Sequence, residues 1–328
     1  MHASTLPRNP CAATNFKRKA VDEFALIRRY FARPGAAPGV TTGIGDDGAV
    51  LQPEPGRELI VVIDTVVAGV HFPDGIDPFD IAYRAVAVNL SDIAAMGGRP
   101  RWMTLALTLP LAAEDWLERF AEGLHAAAAE HALSLVGGDT TYGKTLVISV
   151  QITGDVPAGK ALLRSGARVG DQIYVTGNVG DSAAGLELVS AGTPDPYLSA
   201  RFLRPDARVA YGQKLLDVAT AAIDLSDGLF ADLAKLLAAS GVGGTIELER
   251  LPMSQALRAR FDLDACRQFA LAGGDDYELC FTAATLAPPQ GDGFAVTRIG
   301  RVTDSGQLVC QLEGKPVPYT DHGYRHFQ

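Results

Sequence analysis

Apolar positions along the chain recur at two periods, and the switches between them sketch its elements. From Arg101 to Leu109, the apolar Met103, Leu105, Leu107 and Leu109 alternate with Trp102, Thr104, Ala106 and Thr108, the period of a half-buried strand. Leu146, Ile148, Val150 and Ile152 repeat that pattern. Leu59 to Ile63 is an unbroken apolar run short enough for a buried strand, and Leu133 to Val136 reads as another, running into Gly137-Gly138-Asp139. Helical spacing takes over from Asp22 to Phe31, with Phe24, Ile27 and Phe31 on one face and Pro34-Gly35 as a stop. Asp77-Pro78 supplies an N-cap and a first-position proline for a helix through Ala85, Val88 and Ala95, ended by Gly97-Gly98. Glu114 to Glu130 forms a third helical stretch.

Gly154 to Gly166, rich in glycine and basic residues, interrupts this series, and the pattern then starts again. Predicted next are a strand over Gln172–Thr176, helices over Ser182–Val189 and Asp206–Val218, a strand over Ala221–Leu225, a helix over Leu229–Ala239 and a strand-rich tail. The fold class is therefore mixed α/β in two domains, divided near residue 158 into 21–158 and 159–328. The 328 residues suit two domains at roughly 100–200 residues each.

Composition narrows the function classes. No apolar stretch approaches the ~20 residues of a membrane span, so a transmembrane protein is excluded. A net charge of -9, from 29 basic and 38 acidic residues, opposes unassisted binding of nucleic acid or any other polyanion. Cys11, Cys266, Cys280 and Cys310 stand far apart without a CxxC pair, which argues against a disulfide framework or thiolate zinc and for a reducing cytoplasm. Residues 1–20 carry Lys17, Arg18 and Lys19 but no apolar core, and read as a disordered leader rather than a secretory signal.

Two phosphate-loop patterns are decoys. Gly43 to Gly48 satisfies GxGxxG, but Pro53 and Pro55 follow where the helix of a dinucleotide fold would have to begin. Gly154 to Lys160 satisfies GxxxxGK, but Ala161 stands where a magnesium-binding Ser or Thr belongs. What remains is a set of aspartates at chain turns: Asp46, Asp47, Asp64, Asp92, Asp139, Asp224 and Asp227. Taken singly, Asp beside Gly merely favours turns. As a set, carboxylates at strand ends that converge repel one another unless cations neutralise them, and hard oxygen donors without Cys or His specify Mg²⁺ or a similar ion. Metal ions bridging carboxylates to phosphate oxygens would also let an acidic protein bind a nucleoside triphosphate without a P-loop.

These motifs resemble the thiamine-monophosphate kinases, in the superfamily that also holds aminoimidazole ribonucleotide synthetase, selenophosphate synthetase and the hydrogenase-maturation dehydratase. The resemblance spans about Phe24 to Phe327. It rests on Phe24–Phe31, Gly43–Val50, Asp64–Phe72, Ala87–Gly97, Gly137–Thr141, Arg164–Ala167, Val175–Gly185, Asp224–Gly228 and Gly273–Leu279. The Val-Ala-Gly-Val-His-Phe stretch ending at Phe72 and the Gly-Tyr-Arg-His-Phe stretch ending at Phe327 are similar to the kinase branch in particular.

The resemblance implies phosphorylation of thiamine monophosphate to thiamine diphosphate by ATP, with Mg²⁺, in a homodimer whose N-terminal strands pair into a barrel. It implies magnesium ligation by Asp46, Asp64, Asp92, Asp139, Asp224 and Asp227, with Asp46, Asp139 and Asp227 closest to the chemistry. Gly138, Asp139, Arg164 and Ser226 would face ATP, and His71, Asp275 and Tyr324 the thiamine phosphate. The chain departs from the family in three places. Val62-Ile63 precede Asp64 where Ser or Thr is usual, Asp275 replaces a Glu, and His131 stands for a tyrosine expected to pack adenine. Two alternatives are another ATP-dependent synthetase of the superfamily and a non-catalytic nucleotide-binding homologue. Cys11 lacks the glycine-rich loop of a selenophosphate synthetase, and the C-terminal His326-Phe327-Gln328 lacks the dehydratase cysteine.

Overall fold

The computed structural model describes residues 23–32, 37–284, 288–320 and 323. The leader, Pro34-Gly35 and Tyr324 lie outside the described residues. The chain begins with α1 (Glu23–Leu26), which runs directly into a π-helical turn over Ile27–Phe31. That wider winding shifts the phase of the expected apolar face: Leu26, Tyr30 and Phe31 are buried while Phe24 is 67% exposed. Two short strands follow, β1 (Val40–Thr42) and β2 (Val50–Leu51). No helix follows Gly43–Gly48.

The first large unit comprises β3 (Arg57–Val67), α2 (Pro78–Ala95), β4 (Arg99–Leu109), α3 (Glu114–Glu130), β5 (Ser134–Tyr142) and β6 (Val147–Pro157). The strands form one sheet in the order β3-β6-β4-β5, antiparallel except for the β4–β5 pair. Asp77 caps α2 by accepting the Phe79 N–H at 2.9 Å, and Pro78 opens the helix. One sheet face is covered: Met103, Leu105, Leu107 and Leu109 of β4 and Ile148, Val150 and Ile152 of β6 are buried with α2 and α3.

The other face is open, and this corrects the reading of Leu59–Ile63 as a buried strand. Leu59, Val61 and Ile63 of edge strand β3 are 48%, 64% and 65% exposed, whereas Ile60 is buried. An apolar run cannot by itself reveal whether one or both faces of its strand are covered.

The end of this sheet nearest the second unit is tied by an ionic knot. Asp155 of β6, 1% exposed, accepts from Arg57 at 2.6 Å, Arg99 at 2.9 and 3.1 Å and Arg101 at 3.3 Å. The GxxxxGK pattern at Gly154–Lys160, set aside as a decoy, begins within this strand, which runs to Pro157.

The second unit holds β7 (Gln172–Thr176), α4 (Asp181–Ser190), α5 (Pro196–Leu203), α6 (Val209–Lys214), β8 (Ala221–Asp224), α7 (Leu229–Ser240), β9 (Gly243–Glu247), α8 (Gln255–Arg260), α9 (Leu263–Ala272), β10 (Leu279–Ala283), β11 (Val296–Thr303), β12 (Leu308–Leu312) and β13 (Lys315–Val317). Its seven strands form a sheet in the order β13-β12-β9-β11-β7-β10-β8. The helix expected over Asp206–Val218 is shorter. Arg208 is drawn out of helical geometry where its guanidinium meets the fully buried Glu278 at 2.6 and 2.7 Å, and α6 starts only at Val209. Helices α5, α8 and α9 lie in stretches not read as helical. Each has a side-chain N-cap, Asp195, Ser254 and Asp262 respectively.

Helix α2 is the spine between the two units. It is buried along nearly its whole length, packed on the first sheet, on α3 and on α6. Close approach requires glycine: a Cβ on Gly123 of α3 would lie 2.1 Å from the Phe79 carbonyl oxygen. Gly123→Ala is therefore expected to cost about 1–3 kcal/mol of stability, measured as a lower urea midpoint at unchanged slope.

Candidate functional site

Most of the acidic set gathers where α2, the middle of β3 and the end of β8 meet. Asp64, Asp92, Asp224, Ser226, Asp227, Arg164, His71 and Asp275 line one cavity of about 410 Å³. Sequence reasoning gave no role to other residues of its wall, among them Lys235, Tyr277 and Val88.

Each side chain is placed by a local device. Ser91 of α2 donates to Asp224 Oδ2 at 2.9 Å, tying the helix to the end of β8. The turn after β8 is held by the buried Asp232 of α7, whose Oδ2 accepts the backbone N–H groups of Ser226, Asp227 and Gly228 at 2.9, 2.9 and 3.2 Å. Lys235, one turn further along α7, bridges Asp232 at 2.8 Å and Asp227 at 2.5 Å. The Val67 N–H donates to His71 Nδ1 at 3.1 Å, which leaves Nε2 as the N–H of the neutral ring. Asp275 accepts from Arg84 at 2.5 Å and from the Tyr277 hydroxyl at 3.0 Å.

The charge balance of this cavity is unfavourable without a cation. Asp64 and Asp92 stand within hydrogen-bonding reach of each other. Burial, then the Asp64 charge, pushes Asp92 up to about 7, with Arg164 partly opposing. Burial raises Asp64 as well. Asp224 goes well above the usual carboxylate range through burial and the Asp92 charge, against the Ser91 hydrogen bond. Crowded, half-buried carboxylate oxygens fit a hard divalent cation. Among the described residues no three acidic, imidazole or thiol side chains enclose a metal unaided.

Asp46, Gly138 and Asp139 are not in this cavity. They line a second one, of about 680 Å³, with Phe24, Arg28, Phe31 and Asp47 among its walls. Asp46 Oδ1 accepts the Asp47 N–H at 2.9 Å, so both carboxylates of Gly43–Gly48 stand at this cavity. Gly138 allows β5 to lie tight on β4, since a Cβ there would be 1.9 Å from the Leu105 carbonyl oxygen. The register explains the separation. Asp64 pairs with Val150, Val150 with Leu105 and Leu105 with Gly138, so Asp64 and Gly138 sit on opposite edges of the sheet, three strand spacings or roughly 14 Å apart. Asp139, one residue on, belongs to the row of Ala106, Ser149 and Thr65 on the opposite face. Within one chain, then, the aspartates form two groups. His131, the C-cap of α3, lines neither cavity.

Comparison with known proteins places these two cavities in context. Residues 45–156 match the model for the AIR synthase related protein, N-terminal domain, and residues 168–313 that for its C-terminal domain. The thiamine-monophosphate kinase of Salmonella typhimurium is 47% identical over 323 residues, covering 94% of this chain and 99% of that protein. The chain belongs to the thiamine-monophosphate kinase family. The crystal structure of the Stenotrophomonas maltophilia K279a kinase has a TM-score of 0.81 at 44% identity, covering 90% of this chain and 98% of that one. A structure described as AaThiL complexed with AMPPCP and TMP has a TM-score of 0.74 at 35% identity, covering 87% and 92%. The family match takes in both groups of acids, since 45–156 contains Asp46, Asp64, Asp92 and Asp139 while 168–313 contains Asp224, Asp227 and Asp275.

The raised Asp92 makes a kinase of this family pH-sensitive when free of metal. The folded chain holds a proton on Asp92 up to about pH 7, whereas the unfolded chain releases it near 3.8. Stability from this group is therefore greatest below pH 3.8, falls as pH rises towards 7 and is flat above. In the presence of a chelator, Asp92→Asn should be more stable than the unaltered protein at pH 8, by on the order of 1 kcal/mol or more, with the gap narrowing as pH falls and closing near 3.8. Added Mg²⁺ should reverse the order at pH 8; scanning calorimetry reads both.

Proposed function

We propose that the protein transfers the γ-phosphoryl group of ATP to thiamine monophosphate, giving ADP and thiamine diphosphate. What carries the reading is near-full-length similarity to thiamine-monophosphate kinases, one of which is described in complex with AMPPCP and TMP. The carboxylate-rich cavity supports it. In this reading Asp46, Asp64, Asp92, Asp139, Asp224 and Asp227 hold Mg²⁺. Gly138, Asp139, Arg164 and Ser226 meet ATP, and His71, Asp275 and Tyr324 meet thiamine monophosphate. The site works in the cytoplasm, on a chain divided near residue 158.

The attacking atom is a phosphate oxygen of the acceptor, whose second pKa near ~6 leaves it ionised at neutral pH, so no protein base is needed. His71, with Nδ1 already accepting from Val67, serves as a hydrogen-bond donor through Nε2. Bound Mg²⁺ would supply the charge neutralisation that lets two polyanions approach in line. Arg164, on the wall of the acidic cavity, and Lys235, beside Asp227, add positive charge there.

The division of the acids into two groups favours a dimeric site. The open face bearing Leu59, Val61 and Ile63 lies on the same side of the sheet as Asp139. The barrel implied by the resemblance would set the β5 edge of one copy against the β3 edge of the other. That brings Asp139 of one copy next to the Asp64 cavity of its mate.

Three measurements test these statements. ADP release should rise with thiamine monophosphate, and not with an aminoimidazole precursor or without an acceptor. Asp139→Asn and Asp227→Asn should each lower turnover roughly 100-fold or more at an unchanged melting temperature, and near-normal turnover at saturating Mg²⁺ would refute their role. Refolding an equal mixture of inactive Asp64→Asn and Asp139→Asn chains should recover up to about a quarter of native activity, because half of the sites in mixed dimers are intact. No recovery would mean that each site is built within one chain.

A further inference from the structure

We infer that Arg84 is a positioning residue for the acceptor substrate: together with Tyr277 it holds one oxygen of Asp275 and turns the other into the acidic cavity. The inference rests on the proposed function and deepens it. Arg84 lies on α2, two turns before Ser91 and on the same helix face, so α2 contacts the cavity through both Ser91 with Asp224 and Arg84 with Asp275.

Its guanidinium is buried, with the side chain 4% exposed, and Asp275 is its one carboxylate partner. Nη1 donates to the Phe202 carbonyl and Nη2 to Asp275 Oδ1, each at 2.5 Å. The rings of Phe202 and Tyr277 flank it at 4.3 and 5.4 Å, and among the described residues Nε has no hydrogen-bond partner. A buried charge held so sparingly adds little to stability compared with an apolar side chain of similar volume, so packing alone does not account for an arginine here.

Asp275 is constrained through its backbone. Its φ of 61° and the 50° of Tyr277 are left-handed values that side-chain-bearing residues adopt only when their surroundings enforce it. The enforcement comes from the other wall of the cavity, where the Asp275 and Tyr277 N–H groups donate to Ser226 and Leu225 carbonyls, both at 2.8 Å. Burial, reinforced by the Asp275 charge, keeps the Tyr277 phenol well above its ordinary pKa, so it remains a donor. Oδ1 of Asp275 thus takes both bonds, from Arg84 and Tyr277, and Oδ2 is left to the cavity that the side chain lines.

A fixed carboxylate oxygen accepts hydrogen bonds and attracts cations; it does not bind phosphate. In thiamine monophosphate the matching groups are the exocyclic amine and the positively charged thiazolium ring. Arg84 therefore governs the organic end of the acceptor.

Steady-state kinetics with both substrates varied tests this. Arg84→Gln and Asp275→Asn should each raise KM for thiamine monophosphate about tenfold while KM for ATP stays within about twofold. The double variant should be no worse than the poorer single one, since both changes remove one interaction. Arg84→Lys should recover part of the loss. Should Arg84→Gln not fold, Tyr277→Phe removes one hydrogen bond and keeps the ring, and should raise the same KM a few-fold. Equal rises in both KM values, or single losses that add in the double variant, would overturn the inference. An unaltered chain that releases no ADP with thiamine monophosphate would instead sink the proposed function.

Discussion

Repulsion among carboxylates confined at the meeting point of two sheets is the constraint around which the rest of this molecule is arranged. Asp64, Asp92 and Asp224 come from a strand, a helix and a second strand, and burial makes their mutual charge costly. A protein selected for stability alone would place apolar residues there. This one meets the cost with a rigid frame: Ser91 on Asp224, Asp232 on three successive backbone N–H groups, and Lys235 as a partial counter-charge. The frame keeps the oxygens from relaxing apart, which is what a divalent cation and its phosphate ligands require of a preorganised site.

Helix α2 is the member on which this frame depends. Its small residues, Ala82, Ala85, Ala87, Ala94 and Ala95, are buried and let it lie close to its neighbours. A Cβ on Gly212 of α6 would stand 2.1 Å from the Ala94 carbonyl oxygen, so the second unit approaches α2 as closely as α3 does on the first. Through α2, a shift of one sheet against the other is felt at the cavity.

Much of this was legible in the amino-acid order, and the gaps have physical causes. Asp77-Pro78 announced the start of α2, and the helical stretch Glu114–Glu130 coincides with α3, because caps and amphipathic periods are local signals. The aspartates at turns were visible for the same reason. Arg84 was not, since its partner lies 191 residues away and nothing in its neighbourhood distinguishes it from a solvated arginine. Lys235 and Asp232 likewise read as polar positions on α7 until the turn they hold is folded beneath them. Local pattern could not separate Asp46 and Asp139 from the other acids either. Their distance from Asp64 is set by strand order and register, which are properties of the assembled sheet.

The knot at Asp155 bears on how the molecule can move. Three guanidinium groups converging on one sequestered carboxylate lock the last strand of the first sheet to its neighbours up to Pro157. Arg164 lies in the link between this knot and β7, and the link is itself tied to the second unit: Ser240 of α7 donates to the Arg164 carbonyl and the Ala222 N–H of β8 to the Leu163 carbonyl, both at 3.0 Å. The guanidinium on the rim of the acidic cavity is thus carried by a segment anchored at both ends, so its charge is held at the pocket as part of the frame.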